Sequence, residues 1–285
     1  MDENLIVENN ILRGYKEKGI ITINIPEGVA AIGDNAFSDF HNLQTITLPK
    51  SLVKIGNNAF QNCPKLTEID LTYVTTIGEK AFLGCSDLTS VTFGEKIGYL
   101  ANAIFLGCSS LTEIILPENI AYIGCECFKD CTALSSIEML GVMEIDNNAF
   151  EHCINLFNLS LPKSLTHISP NAFSFCGSLS SVIVQNRYVD IDETAFEYDV
   201  NFIIKAVQYS TSQLYTQQRN YKYQPIVLED EYRIVTSEQL AVLSKAGILL
   251  HAKKVTTGTD EILIHFDRSA LSKIIALIGG NDNDQ

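Results

Sequence analysis

Six cysteines recur on a fixed beat: Cys63, Cys85, Cys108, Cys131, Cys153 and Cys176. Thiols so regularly placed could pair as disulfides or hold a soft metal, since thiolate is a strong zinc ligand. Each follows a phenylalanine by three residues, so a repeating fold stacks them in one file about 4.8 Å apart. A metal needs ligands that converge on a point, and a parallel file does not converge. Small apolar side chains filling a core fit the spacing better. Phe40 and Asp199 take the same place in the end repeats, which also fits packing. The stretch "CECFKDC" adds Cys125 and Cys127, with His152 and Cys153 one repeat later. The Cys-x2-Cys spacing of common structural zinc sites is missing there. No metal and no cofactor is expected. Free thiols in this number point to a reducing compartment.

Other chemistry is sparse. There is no glycine-rich phosphate loop, no Gly-x-Ser-x-Gly and no His-Glu-x-x-His. His41, His152, His167, His251 and His265 have no repeated partner, so a non-catalytic protein is expected. His251 and His265 are the sole candidates should an enzyme reside near the C-terminus. The formal charge of −14 over 285 residues argues against nucleic acid, whose phosphates need cationic neutralisation. Basic or polar protein partners suit it better. No apolar run reaches the ~18 to 20 residues of a membrane span, so no membrane insertion is expected. The N-terminal stretch lacks a basic segment leading into an apolar one, so the chain as given reads as cytoplasmic.

The phenylalanines set the architecture. Phe37, Phe60, Phe82, Phe105, Phe128, Phe150, Phe173 and Phe196 stand 22 or 23 residues apart. Five residues before each is an aliphatic residue, from Ile32 to Ile191, and eight before is another apolar residue, from Val29 to Tyr188. After the first seven comes a Leu-x-x-Ile-x-Leu pattern, as in Leu43, Ile46 and Leu48. Its last two apolar positions alternate as one buried face of a strand requires. One coil cannot bury its own apolar face, but stacked copies can. The 22-residue steps lose their residue in the turns "LTYV" and "MLGV", where a length change costs little.

The phrases "IPEGVAAIGDNAF", the "AF-x-x-C" beat and the "LP-x-x-L-x-x-I" exits resemble the BspA-like leucine-rich repeats over residues ~20–207. The resemblance implies a right-handed solenoid of short parallel strands with few helices, and a second short strand at Val-x-x-Ile. It also implies a binding role, often at a cell surface or after secretion, with no shared enzymatic activity. An adhesin for host or matrix proteins is therefore the alternative, in a secreted or surface location if a signal has been removed.

Around this core the expected organisation is an N-terminal cap at 1–24, repeats at 25–207, a C-terminal cap at 208–226 and a small α+β domain at 227–285. In the cap, "NLIVE" and "GIITINI" read as strands joined by a glycine-containing turn. A solenoid needs such ends to cover its terminal apolar faces. "TSQLYTQQRNYKYQPI" reads as a short helix and an extended segment. In the last domain, "SEQLAVLSKAG" reads as a helix capped by Ser237. "ILLHAKKV" and "EILIHFD" around "TTGTD" read as a hairpin, and "SALSKIIALIGG" as a second helix. This domain is expected to dock or to oligomerise.

Two exposed columns are the binding candidates. The outward positions of the main strands are hydroxyl-rich and carry Glu68, Asp70, Glu113 and Glu138 in their middle, with Ile115 breaking the polar pattern. They read either as a solvated sheet or as a shallow groove for a basic or hydrogen-bonding partner. On the short strands, Tyr99 and Tyr122 are expected to stack on an exposed strip. Such a pair either anchors a partner or braces adjacent strands.

Overall fold

The computed structural model describes residues 2–199, 201–207, 210–226, 230–245, 251–254 and 261–267, with backbone alone at 230–235, 251–254 and 261–267. The chain divides into two compact units, Met1–Pro225 and Ile226–Gln285.

The first unit is a solenoid of about nine turns. Each coil contributes a main strand, such as Glu68–Leu71 or Glu113–Leu116, and a two-residue strand, such as Lys54–Ile55 or Tyr122–Ile123. Where strands of successive coils pair they run parallel, as Glu113 facing Ser136 and Tyr122 facing Glu144, and the face of main strands is divided into short sheets of two to four strands. The main strands alternate exposed and buried residues, as a one-sided sheet should.

Inside, the repeating phenylalanines form one continuous stack. From Phe37 to Phe196 all eight are fully buried. Neighbouring ring centroids lie 5.0 to 5.5 Å apart with planes within 14° of parallel. Burial of each ring contributes roughly 1.5–3 kcal/mol, and each ring contact about 0.5–1.5 kcal/mol beyond that.

The six cysteines form a second file, buried and free. Each Sγ donates to the carbonyl oxygen of the preceding coil's phenylalanine at 3.1 to 3.3 Å, from Cys63 on Phe37 to Cys176 on Phe150. The thiols thus fill space and give a second donor to a carbonyl that already accepts the N–H three residues on in its own turn, as Phe60 does from Cys63. Burial pushes the Cys63 thiol up to about 12 and the others upward too, so they stay protonated donors.

The phrase "IGNNAF" resolves into separate jobs. Gly56 packs against the coil before it, where an added Cβ would come within 2.6 Å of the Asp34 nitrogen and 2.7 Å of the Gly33 carbonyl carbon. Asn57 bridges coils: its backbone N–H donates to Asp34 Oδ1, and its own Oδ1 accepts from the Glu79 N–H. Asn58 takes the left-handed conformation, with φ 53°, which asparagine enters more readily than most residues.

Four expectations about these elements need correction. The partner of Leu5–Glu8 is Ile11–Tyr15, joined antiparallel through Asn9 and Asn10, both at positive φ. The turn therefore contains asparagines and no glycine, and asparagine enters positive φ more readily than most residues. Thr22–Asn24, expected in the cap, is the first main strand and pairs with Thr45–Thr47. In the last coil Val189 is buried and Tyr188 exposed, because the exit from Val184 is one residue longer and shifts the inward position. In the second unit the helix Ser237–Lys245 is capped by Thr236, not Ser237. Thr236 Oγ1 accepts from the Gln239 N–H while Gln239 Oε1 accepts from the Thr236 N–H, a reciprocal capping box.

At the C-terminal end of the solenoid, the helix Thr211–Arg219 starts at Ser210, whose side chain accepts from the Gln213 N–H. Tyr215 is buried near Phe196, and the strand Lys222–Ile226 extends the main sheet. Tyr221 packs on Phe202 and donates its hydroxyl to the Phe196 carbonyl at 3.1 Å. That carbonyl is the one that a cysteine of the next coil would otherwise serve.

In the second unit, Asp230–Thr236 and His251–Lys254 both pair antiparallel with Glu261–Asp267. The strand Asp230–Thr236 was not expected from sequence. The expected "TTGTD" turn and the helix at 269–280 lie outside the described residues.

Candidate functional site

Three of the four main-sheet carboxylates fall into two shallow depressions. One, of about 340 Å³, is lined by Thr47, Glu68, Asp70, Ser90 and Thr92 among others. Asp70 is partly committed there, since its Oδ1 accepts from both the backbone and the hydroxyl of Thr72. The second, of about 520 Å³, includes Ile115 and Glu138 together with Glu95, Glu118 and Leu140. Ile115 is 56% exposed and Leu140 62%, so carboxylates and bare aliphatic surface share this depression. Glu113 is exposed but lines neither one. Leu140 was missed from sequence. Its signal is the shortened "MLGV" turn, where a leucine stands in place of the proline of "LPEN".

The tyrosine pair is not arranged as expected. Tyr99 and Tyr122 are register partners on adjacent short strands, and Tyr99 is 50% exposed. Among the described residues, however, the aromatic contacts do not include these two rings. The Tyr122 hydroxyl donates to Asp146 in the next coil, which draws the ring away from Tyr99. Burial first, then the Asp146 carboxylate, raises its phenol above the usual range.

The stacked exposed rings lie elsewhere. Two residues after each phenylalanine the chain turns through positive φ, at Asp39, Asn62, Gly84, Gly107, Asp130, His152, Phe175 and Tyr198. The first five are types that tolerate this conformation, and histidine enters it more readily than most. Phe175 and Tyr198 do not, at a cost of roughly 1–2 kcal/mol each. His152 and Phe175 have ring centroids 4.8 Å apart, and Phe175 and Tyr198 lie 4.3 Å apart with planes 11° from parallel. Two such contacts return about 0.5–1.5 kcal/mol each, so strain and stacking roughly cancel. Phe175 is 39% exposed and Tyr198 65%. The signal was in the sequence as a column that changes from Asp, Asn and Gly to His, Phe and Tyr.

Metal chemistry has no assembled site among the described residues, where no three His, Cys, Asp or Glu side chains are placed to hold an ion. Cys127 and Cys131 are buried, Cys125 is half-exposed, and the His152 ring bonds Asp130 at 2.9 Å. The backbone register sets His251 opposite His265; their side chains lie outside the described residues. No described helix is long and apolar enough to cross a membrane.

The model of the BspA type leucine rich repeat region, in six copies, matches residues 13–135 and 99–223. Among solved structures, a leucine rich repeat protein of T. pallidum is 31% identical with a TM-score of 0.55, over 59% of this chain and 82% of that one. A leucine-rich repeat protein of Eubacterium ventriosum is 28% identical with a TM-score of 0.51, over 63% of this chain and 51% of that one. One from Bacteroides ovatus is 24% identical with a TM-score of 0.55, over 71% and 62%, and is alike in fold. A search of curated protein sequences found no match.

Proposed function

This chain belongs to the BspA-type leucine-rich repeat family, and from that premise we propose that it is a non-catalytic scaffold binding a basic protein segment along its main sheet. The family suggests protein partners in general; the partner's chemistry and the residues are our reading. The observation that carries it is the depression in which Ile115 and Leu140 lie beside Glu95, Glu118 and Glu138. A lysine or arginine suits that mixture, its aliphatic stem on the leucine and isoleucine and its charged head on the carboxylates. Glu68 and Asp70 extend the acidic strip, and Glu113 is an outlying member. Tyr99 offers a separate exposed contact on the short-strand side, with Tyr122 as its braced neighbour. The second unit serves as a docking or oligomerisation piece. The free thiols support a reducing compartment such as the cytoplasm.

The test is capture of partners from the native source by the wild type, by Ile115→Asn with Glu138→Gln, and by Glu68→Gln with Asp70→Asn. At least one sheet variant should lose the partner that the wild type retains, by about tenfold in recovered amount. Equal recovery by all three proteins would remove the main sheet as the binding face.

A further inference from the structure

We propose that the ring file His152–Phe175–Tyr198 docks an arginine-bearing protein segment, with a guanidinium stacked on the open face of Tyr198. The idea rests on the reading that the repeats bind a basic protein, but places a distinct contact on the turns instead of the main sheet. Phe175 covers one face of Tyr198. Among the described residues no other ring meets Tyr198, which is the most exposed large apolar side chain of the unit. Left-handed backbone at this column is served at lower cost by the Asp, Asn and Gly of the earlier coils, so folding alone does not call for phenylalanine and tyrosine here. Strain held at an exposed cluster is the kind of outlier that points to binding.

The charge around the file names the occupant. The turns 124–131, 146–153, 169–176 and 192–199 carry the half-buried or exposed Glu126, Asp130, Asp146, Glu151, Asp192, Glu193 and Glu197 against a single lysine, Lys129, Asp199 being buried. That lysine is already taken by Glu151 at 2.8 Å and by Glu126 at 3.7 Å. An aromatic face set in surplus negative charge favours a cation. Arginine is favoured over lysine because its planar, weakly hydrated guanidinium stacks on a ring while its N–H groups reach carboxylates at the rim.

The experiment uses the full chain and two fluorescein-labelled peptides, one of alternating arginine and glycine, one of alternating lysine and glycine. Both are titrated by anisotropy at fixed moderate salt. The variant Phe175→Asn with Tyr198→Asn leaves the net charge untouched and suits positive φ, so its thermal midpoint should match or exceed the wild type. It should bind the arginine peptide about tenfold more weakly, while Tyr73→Asn, which removes an exposed ring outside both patches, should bind it within about twofold of wild type. The wild type should prefer the arginine peptide over the lysine peptide. The proposal falls if the ring variant binds as well as wild type, or if the two peptides bind alike. It also falls if the wild type sediments as a dimer that the ring variant abolishes, since a second copy would then be the occupant. Because the sheet variants are read separately, failure here leaves the main-sheet reading standing.

Discussion

Asp199 stands where six other coils place a serving thiol or its equivalent, and it behaves differently. It is buried, one oxygen accepts from the Cys176 N–H at 3.2 Å, and the other has no partner. Burial raises its carboxyl from 3.8 to about 7. A carboxyl whose folded pKa exceeds its unfolded value binds more protons in the native state between the two, so stability falls as pH rises from about 4 to about 7. Asp199→Asn keeps an acceptor for Cys176 and has no charge to bury. The wild type minus variant difference in unfolding free energy should therefore be flat below pH 4. It should grow through pH 5 to 7 to about 1–3 kcal/mol in favour of the variant at pH 8. Urea midpoints at pH 4, 6 and 8 check this; a difference that does not change with pH would refute it. At this scale the sequence was least informative, because the consequences of Asp199 depend on depth. The rings of Phe175 and Tyr198 are hard to single out for another reason: the defining property of their column is backbone conformation, which residue type alone does not display.

At the scale of elements, the coil is legible wherever one kind of side chain meets one kind of neighbour eight times over. The phenylalanine, isoleucine and leucine columns could be read directly because an inward site accepts only an apolar residue of fixed size. The expected repeat class and solenoid follow from those columns. The first hairpin was not legible: Arg13 and Gly14 interrupt the alternation of Ile11–Tyr15, and the pairing is fixed by the Asn9–Asn10 turn. Asp230–Thr236 likewise opens with a run of charge that hides a strand. The glycines separate in a way the sequence does not reveal. At Gly56 a methyl group would meet the backbone of the previous coil, whereas at Gly177 nothing lies within 4 Å. Gly56→Ala should destabilise by about 1–3 kcal/mol, because the clash is with main chain and not with a movable side chain. Gly177→Ala should lie within about 0.5 kcal/mol of wild type or slightly above it. Chemical denaturation of the two single variants distinguishes them, and equal effects would contradict the packing described here.

For the whole molecule, the interior and the exterior follow different rules. The interior repeats, and the exterior carries local departures: an acidic strip with two bare aliphatics, and a file of rings among carboxylates. If the second unit is an oligomerisation piece, sedimentation velocity should show the full chain associating with rising concentration and residues 1–225 remaining monomeric. Identical behaviour of the two would leave the second unit as a docking module. A charge of −14 opposes self-association at low ionic strength, so any oligomer should strengthen as salt is added.

The thiol file has one more implication. Each cysteine donates to the coil before it, Asp199 interrupts the file, and Tyr221 resumes it at the last coil by offering a phenol hydroxyl where a sulfur would stand. The terminator therefore needs to know only its immediate neighbour, not how many units precede it. Length in such a molecule is an open parameter. A gene could gain or lose a whole 23-residue unit with both ends still sealed, altering its reach and the spacing between its two exposed patches in steps of one strand.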